Sequence, residues 1–156
     1  MRFFFDTNIL FTSRNLDFPM ATNQEFWNWL VSLGEDGTVK IPEEVYKEIT
    51  YGDDDISRWA KDNKDAFWVS SLEAVHSIQT VLNTYKRNMD ETTIERLKAD
   101  PWVIAHAHSM PQAATVVTYE KPRNRDNPLK KKIPNVCEEL DIPCIRLPRF
   151  IWMMKD

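Results

Sequence analysis

Phe3, Phe4 and Phe5 stand in an unbroken row, and Asp6, Thr7 and Asn8 follow at once. Bulky apolar residues without alternation describe a strand buried on both faces, the kind found in a parallel sheet covered by helices. A chain that begins this way needs more strands beside the first and helices for two faces. The polar triplet falls where the strand leaves the sheet, and open parallel sheets bind ligands at the carboxyl ends of their strands. Asp6 is therefore a candidate site carboxylate, and it is equally a good cap for a following helix.

The rest of the chain supplies the other layers. TVKI (38–41) and ATVVT (114–118) read as strands, the second rich in β-branched residues, with FWVS (67–70) a short extended piece and IPCIRL (142–147) a last strand. Between them lie helical patterns. EFWNWLVSL (25–33) spaces Phe26, Trp27, Leu30 and Leu33 helically behind a Thr22-x-x-Glu25 capping box. Pro42 opens PEEVYKEITYG at the first helical position, and Gly52 closes it. Asp53, Asp54 and Asp55 start ISRWAKDN as a solvated acidic turn. Leu72, Val75, Ile78, Leu82 and Tyr85 form one stripe of a longer helix, and TTIERLKA adds a turn or two. Asp100 before Pro101 marks a helix start with Asp100 at the N-cap, and IPNVCEEL (133–140) is a short helix. The expected fold is α/β: a three-layer α/β/α sandwich around a parallel sheet of about four to five strands, in a single domain over residues 1–156.

Composition excludes several chemistries. Only three glycines occur, so there is no phosphate-cradling glycine loop, dinucleotide fingerprint or nucleophile elbow. His106 and His108 are two apart, which on a helix turns them to different sides, and no HExxH pattern occurs. Cys137 and Cys144 lack metal-ligand spacing and read as reduced structural thiols. No segment approaches a membrane-spanning length and the N-terminus lacks a signal pattern, so a cytoplasmic location without membrane attachment is expected. The net charge of −4 argues against whole-surface nucleic-acid binding. One local basic cluster stands against it: Lys121, Arg123, Arg125, Lys130, Lys131 and Lys132, with Asp126 among them. Such a cluster is either a solvated loop or a rim that contacts phosphates.

In the expected sheet, the ends of the first strand and of ATVVT lie on one edge, which collects Asp6, Asn8, Thr118 and Glu120. Glu48 lies on the helix after the second strand, past the turn where the helix dipole would explain it. Asp100 starts the helix that leads into ATVVT. Converging carboxylates repel and raise one another's pKa. Hard divalent cations such as Mg²⁺ or Mn²⁺ resolve that conflict and keep waters that substrate phosphates replace.

DTN at the end of the first strand, EEVYKEI on an early helix, ADPWVIAHA at a helix start and VVTYE at a strand end together resemble the PIN-domain nucleases over nearly the whole chain. The resemblance implies four acids, Asp6, Glu48, Asp100 and Glu120, holding Mg²⁺ or Mn²⁺, with Asn8 and Thr118 orienting ligands or the water shell. Glu120 departs from the family's commoner Asp at its position, and Asp126 is a weaker substitute. The implied activity is metal-dependent hydrolysis of RNA phosphodiester bonds, as in the toxins of bacterial toxin–antitoxin pairs. The implied partners are an RNA substrate, guided by the Lys121–Lys132 cluster, and a cognate antitoxin protein, with a homodimer also open. A different reading keeps the fold without the chemistry, as a module that binds a partner protein through the apolar tail Phe150 to Met154. A phosphatase with Asp6 as nucleophile is disfavoured, because Asn8 stands where a second Asp is wanted.

Overall fold

The computed structural model describes residues 1–122 and 131–155. The chain runs β1 (Arg2–Phe5), α1 (Thr7–Thr12), a π-helical turn (Ser13–Asp17), α2 (Gln24–Glu35), β2 (Val39–Pro42), α3 (Glu43–Ile49), α4 (Asp55–Asp62), α5 (Lys64–Phe67) and β3 (Trp68–Val69). It continues with a 3₁₀ turn (Ser71–Ala74), α6 (Val75–Tyr85), α7 (Glu91–Leu97), α8 (Asp100–His108), β4 (Ala114–Val117), α9 (Ile133–Glu139), β5 (Cys144–Ile145) and α10 (Leu147–Met154).

Phe3, Phe4 and Phe5 show why three layers form. All three are almost wholly buried, and burying a side chain of this size contributes about 1.5–3 kcal/mol. Phe3 and Phe5 point to one face, where each meets the ring of Phe150 on α10 edge-on, at 5.0 and 5.1 Å between centroids. Trp29 of α2 reaches the same Phe150. Phe4 points to the other face and lies 5.3 Å from the ring of His106 on α8. Helix α8 packs in turn against α6 and α9. Among the described residues the strands form one parallel sheet in the order β3-β2-β1-β4-β5, with β1 in the middle. The protein is thus an α/β three-layer sandwich, as expected from the apolar row. No helix among the described residues is long and apolar enough to cross a membrane.

Several local expectations shift. The helix for which Asp6 is a good cap forms as α1, and it carries Ile9 and Leu10 into the core from a stretch otherwise read as polar. The capping box at Thr22 does not form: α2 starts at Gln24 behind Asn23, and both Thr22 and Asn23 turn their side chains back to the Pro19 carbonyl. Pro42 ends β2 and precedes α3 instead of opening it. Asp54 caps α4 by accepting from the Ser57 N–H. Leu72 and Val75 do not belong to the buried stripe; they are exposed, and Ala74, Ser77, Val81, Leu82 and Tyr85 face inward. The 3₁₀ turn rotates the preceding residues away from the α6 register. Asp100 is the first residue of α8, and Ala99 is its N-cap. His106 is buried, and burial holds its pKa down at about 4, so it is a neutral core residue. His108 Nδ1 pairs with Ser77 Oγ, and both cysteines are free thiols.

Candidate metal centre

The strand order reverses at β1. The chain moves outward from β1 through β2 to β3, then returns to place β4 on the other side of β1. Such a switch point opens a crevice at the carboxyl ends of the two central strands. The register sets what fills it. Phe5 pairs with Val117, so Asp6 and Thr118 are the next residues on adjacent strands. The Asp6 N–H donates to the Val117 carbonyl at 3.1 Å, and the Thr118 N–H donates to the Ile145 carbonyl at 3.0 Å. Both backbones are thereby held by the sheet, while their side chains project beyond it.

Thr118 is the hub of the polar contacts. Its hydroxyl donates to Asp6 Oδ2 at 2.8 Å. It accepts from Asn8 Nδ2 at 3.3 Å and from the Glu120 N–H at 3.1 Å. Asn8 Oδ1 also accepts from the Tyr119 N–H at 3.1 Å, which ties the end of β4 to α1. The other oxygen of Asp6 accepts from the Thr7 N–H at 2.7 Å. Asp6 therefore caps α1 and faces the crevice at once; the two readings of this residue hold together.

Asp6, Asp100 and Glu120 each bring one carboxylate oxygen to within 4.8 Å of the other two. Asp6 is 2% exposed. Burial first, then the charge of Glu120, push its pKa from the ordinary 3.8 up to about 7, against the lowering effect of the Thr118 and Thr7 hydrogen bonds. Burial, then Asp6, Glu120 and Glu48, drive Asp100 well above the usual carboxylate range, and the charge of Lys132 opposes them. Glu120 Oε2 also accepts from the Ile133 N–H at the start of α9, at 3.0 Å.

Glu48 stands apart from this trio. Its Oε2 accepts from the Ala99 N–H at 2.8 Å, so it holds the start of α8 and thereby the position of Asp100. Its charge still raises both aspartates. Beside it lies a groove of about 640 Å³, walled by Phe11, Lys47, Tyr51, Lys98 and Trp102 among others. Tyr51 is 93% exposed there.

The basic cluster divides. Lys121 is exposed. Lys131 is turned inward, its Nζ donating to the Thr84 carbonyl at 2.6 Å and lying 3.4 Å from Glu139. Lys132 acts on Asp100. Arg123, Arg125 and Lys130, with Asp126, lie outside the described residues. The apolar tail also divides: Phe150 is in the core, while Trp152 and Met153 are exposed and Arg149 sits over the Trp152 ring at 4.8 Å.

The donor set fits a hard divalent cation. It is all carboxylate oxygen, with hydroxyl and amide groups behind it, and no thiol or imidazole in the group. Ionised together without a counter-charge the three acids destabilise the fold; a cation reverses that sign. Sequence alone places Lys132 in a basic cluster that is either a solvated loop or a phosphate-contacting rim. Its effect on Asp100 depends on where α9 starts, which no local pattern reveals.

No curated protein and no solved structure matches the chain. One family model matches residues 3–155, nearly the whole length, under the description "Domain of unknown function (DUF4411)". The chain belongs to that family.

Proposed function

We propose that this protein is a metal-dependent ribonuclease of PIN-like type, in which Asp6, Asp100 and Glu120 hold Mg²⁺ or Mn²⁺ and Glu48 supports them from the start of α8. The observation that carries the reading is the meeting of three carboxylates at the switch point of a parallel sheet, with Thr118 and Asn8 bonded behind them. The resemblance of DTN, EEVYKEI, ADPWVIAHA and VVTYE to PIN nucleases points the same way. A bound cation would supply Lewis acidity for a water and neutralise charge on the phosphodiester.

The chain's own residues do the rest. Thr118 donates to one oxygen of Asp6 and Thr7 to the other, so the carboxylate cannot rotate. Burial keeps bulk water away and strengthens each charge interaction. In the reaction a water oxygen adds to phosphorus, the bond to the leaving sugar oxygen breaks, and that oxygen gains a proton. The aromatic faces of Tyr51 and Trp102 suit the bases of an RNA strand, with Lys98 in the groove and exposed Lys121 for its phosphates; Lys47 is already paired with Glu43 and Glu44. The toxin half of a toxin–antitoxin pair, with a protein inhibitor, is the biological setting this reading favours.

The test is incubation of the purified protein with single-stranded and folded RNAs in Mn²⁺, Mg²⁺ or EDTA, beside Asp6→Asn. Cleavage that requires metal and disappears in the variant supports the proposal. Metal-loaded protein that leaves every RNA intact, together with an Asp6→Asn variant as toxic in cells as the parent, would remove it. The exposed Trp152 and Met153 on α10 favour the second reading, a module that acts by binding a protein; Mn²⁺-dependent cleavage counts against it.

A further inference from the structure

Tyr85 is the last residue of α6 and is 2% exposed. Its hydroxyl is buried and has no hydrogen-bond partner among the described residues. A buried phenol ordinarily finds one, because its O–H is a strong donor. Its position explains what kind of partner fits. Helix α6 packs against α8 and α9. Those helices begin at Asp100 and at Ile133, the residue whose N–H holds Glu120. Lys131 fastens the end of α6 to the same place through the Thr84 carbonyl. Burial raises the Tyr85 pKa well above its ordinary value, and the charges of Asp100, Glu120 and, more weakly, Asp6 raise it further. His108 at the end of α8 pairs with Ser77 near the start of α6, so the two helices run antiparallel and Tyr85 comes level with Asp100. A buried phenol without a protein partner among the described residues, beside helix starts that carry carboxylates, suits a bond through one water.

We propose that Tyr85 is a positioning residue of the carboxylate centre, its hydroxyl donating to a water held by Asp100 and Glu120 and so fixing those acids for a divalent cation. The inference rests on the metal-binding reading of the trio. It separates Tyr85 from Val81 and Leu82, which pack, and from Ser77, which bonds His108.

The test compares Mn²⁺ binding, read from the signal of free Mn²⁺ by electron paramagnetic resonance, with the melting temperature of the metal-free protein. The chains are the parent, Tyr85→Phe and Tyr46→Phe. Tyr46 is a buried tyrosine of α3 whose hydroxyl donates to the Ala60 carbonyl at 2.9 Å. Expected is a Mn²⁺ dissociation constant about tenfold higher in Tyr85→Phe, with metal-free melting close to the parent's, since the ring keeps its shape and only a water-mediated bond is lost. Tyr46→Phe should show the reverse: a lower melting temperature and the parent's affinity. If Tyr85→Phe binds Mn²⁺ like the parent, the positioning role is overturned while the metal centre stands. If the parent itself binds no Mn²⁺, the metal-binding reading falls and takes this inference with it.

Discussion

Two acidic clusters in this chain are handled in opposite ways. Asp54 and Asp55, at the start of α4, are each exposed by more than two-fifths of their side chains, and both grip Arg14, at 3.1 and 2.8 Å. Each also caps a backbone N–H, of Ser57 and Ile56 respectively. For Asp55, burial pushes the pKa up, and the Arg14 and Ile56 hydrogen bonds more than reverse it, leaving the pKa below the ordinary value. Asp6, Asp100 and Glu120 meet with no ion pair to any of them among the described residues, and only the opposing charge of Lys132 acts on Asp100. Asp54 and Asp55 serve the fold with a cation of their own. On the function proposed above, the acids without one, in a crevice at strand ends, would receive it from solution.

The strongest way to break this comparison is Asp6→Asn. In the parent, Mn²⁺ at a hundredfold excess over its dissociation constant should add about 2.7 kcal/mol of stability by binding the native state alone. Asp6→Asn should lose that gain. Without metal at pH 7 it should be the more stable protein, by about 1–2 kcal/mol, because the buried charge is gone. Thermal melts with Mn²⁺ and with EDTA check both signs, and a variant that still responds to Mn²⁺ dissolves the contrast.

The pH dependence sharpens it next. The Asp6 carboxyl binds its proton more tightly in the folded state, with a pKa of about 7 against 3.8. Its contribution is therefore fully present at acid pH and is lost as pH rises from about 4 through 7. Asp55 has the opposite sign: its lowered pKa adds stability above the ordinary carboxylate range, lost on acidification. Melts in EDTA at about pH 5.5 and about pH 7.5, on either side of the Asp6 pKa, should show the parent less stable at the higher pH and Asp6→Asn with a flatter slope. A parent that gains stability across that interval would contradict the buried charge.

The smallest effect belongs to Arg14→Ala. Partly exposed ion pairs contribute about 0.5–1 kcal/mol, which for a chain of this length lowers the melting temperature by about 1–4 °C. Mn²⁺ affinity should not change. An altered affinity would mean that the two clusters are one electrostatic system.

Much of this architecture is legible in the amino-acid sequence. The Phe3–Phe5 row announces a central strand, and the polar residues after it and after Val117 mark the edge where Asp6, Asn8, Thr118 and Glu120 gather. Asp100 stands out through its Pro101 neighbour, although as a cap; in α8 it is the first helical residue, with its pKa raised by burial and neighbouring acids. Long-range facts are hidden. Strands β3 and β5 are two residues each, and their pairing with β2 and β4 comes from the sheet, not from local pattern. Helix α1 is made of weak helix formers and exists because the core takes Ile9 and Leu10. Along the chain Tyr85 is only one apolar ring in a stripe; its unpartnered hydroxyl belongs to the tertiary fold.

The hydrogen bond between Thr118 and Asp6 joins residues 112 positions apart. During synthesis β1 is made before either neighbour; β2 follows from Val39 and β4 only from Ala114. Every shorter nascent chain lacks Thr118 and Glu120 and so lacks the centre. On the ribonuclease reading, a nascent chain would carry no working centre until β4 and the residues that follow it have been made, a delay set by topology alone.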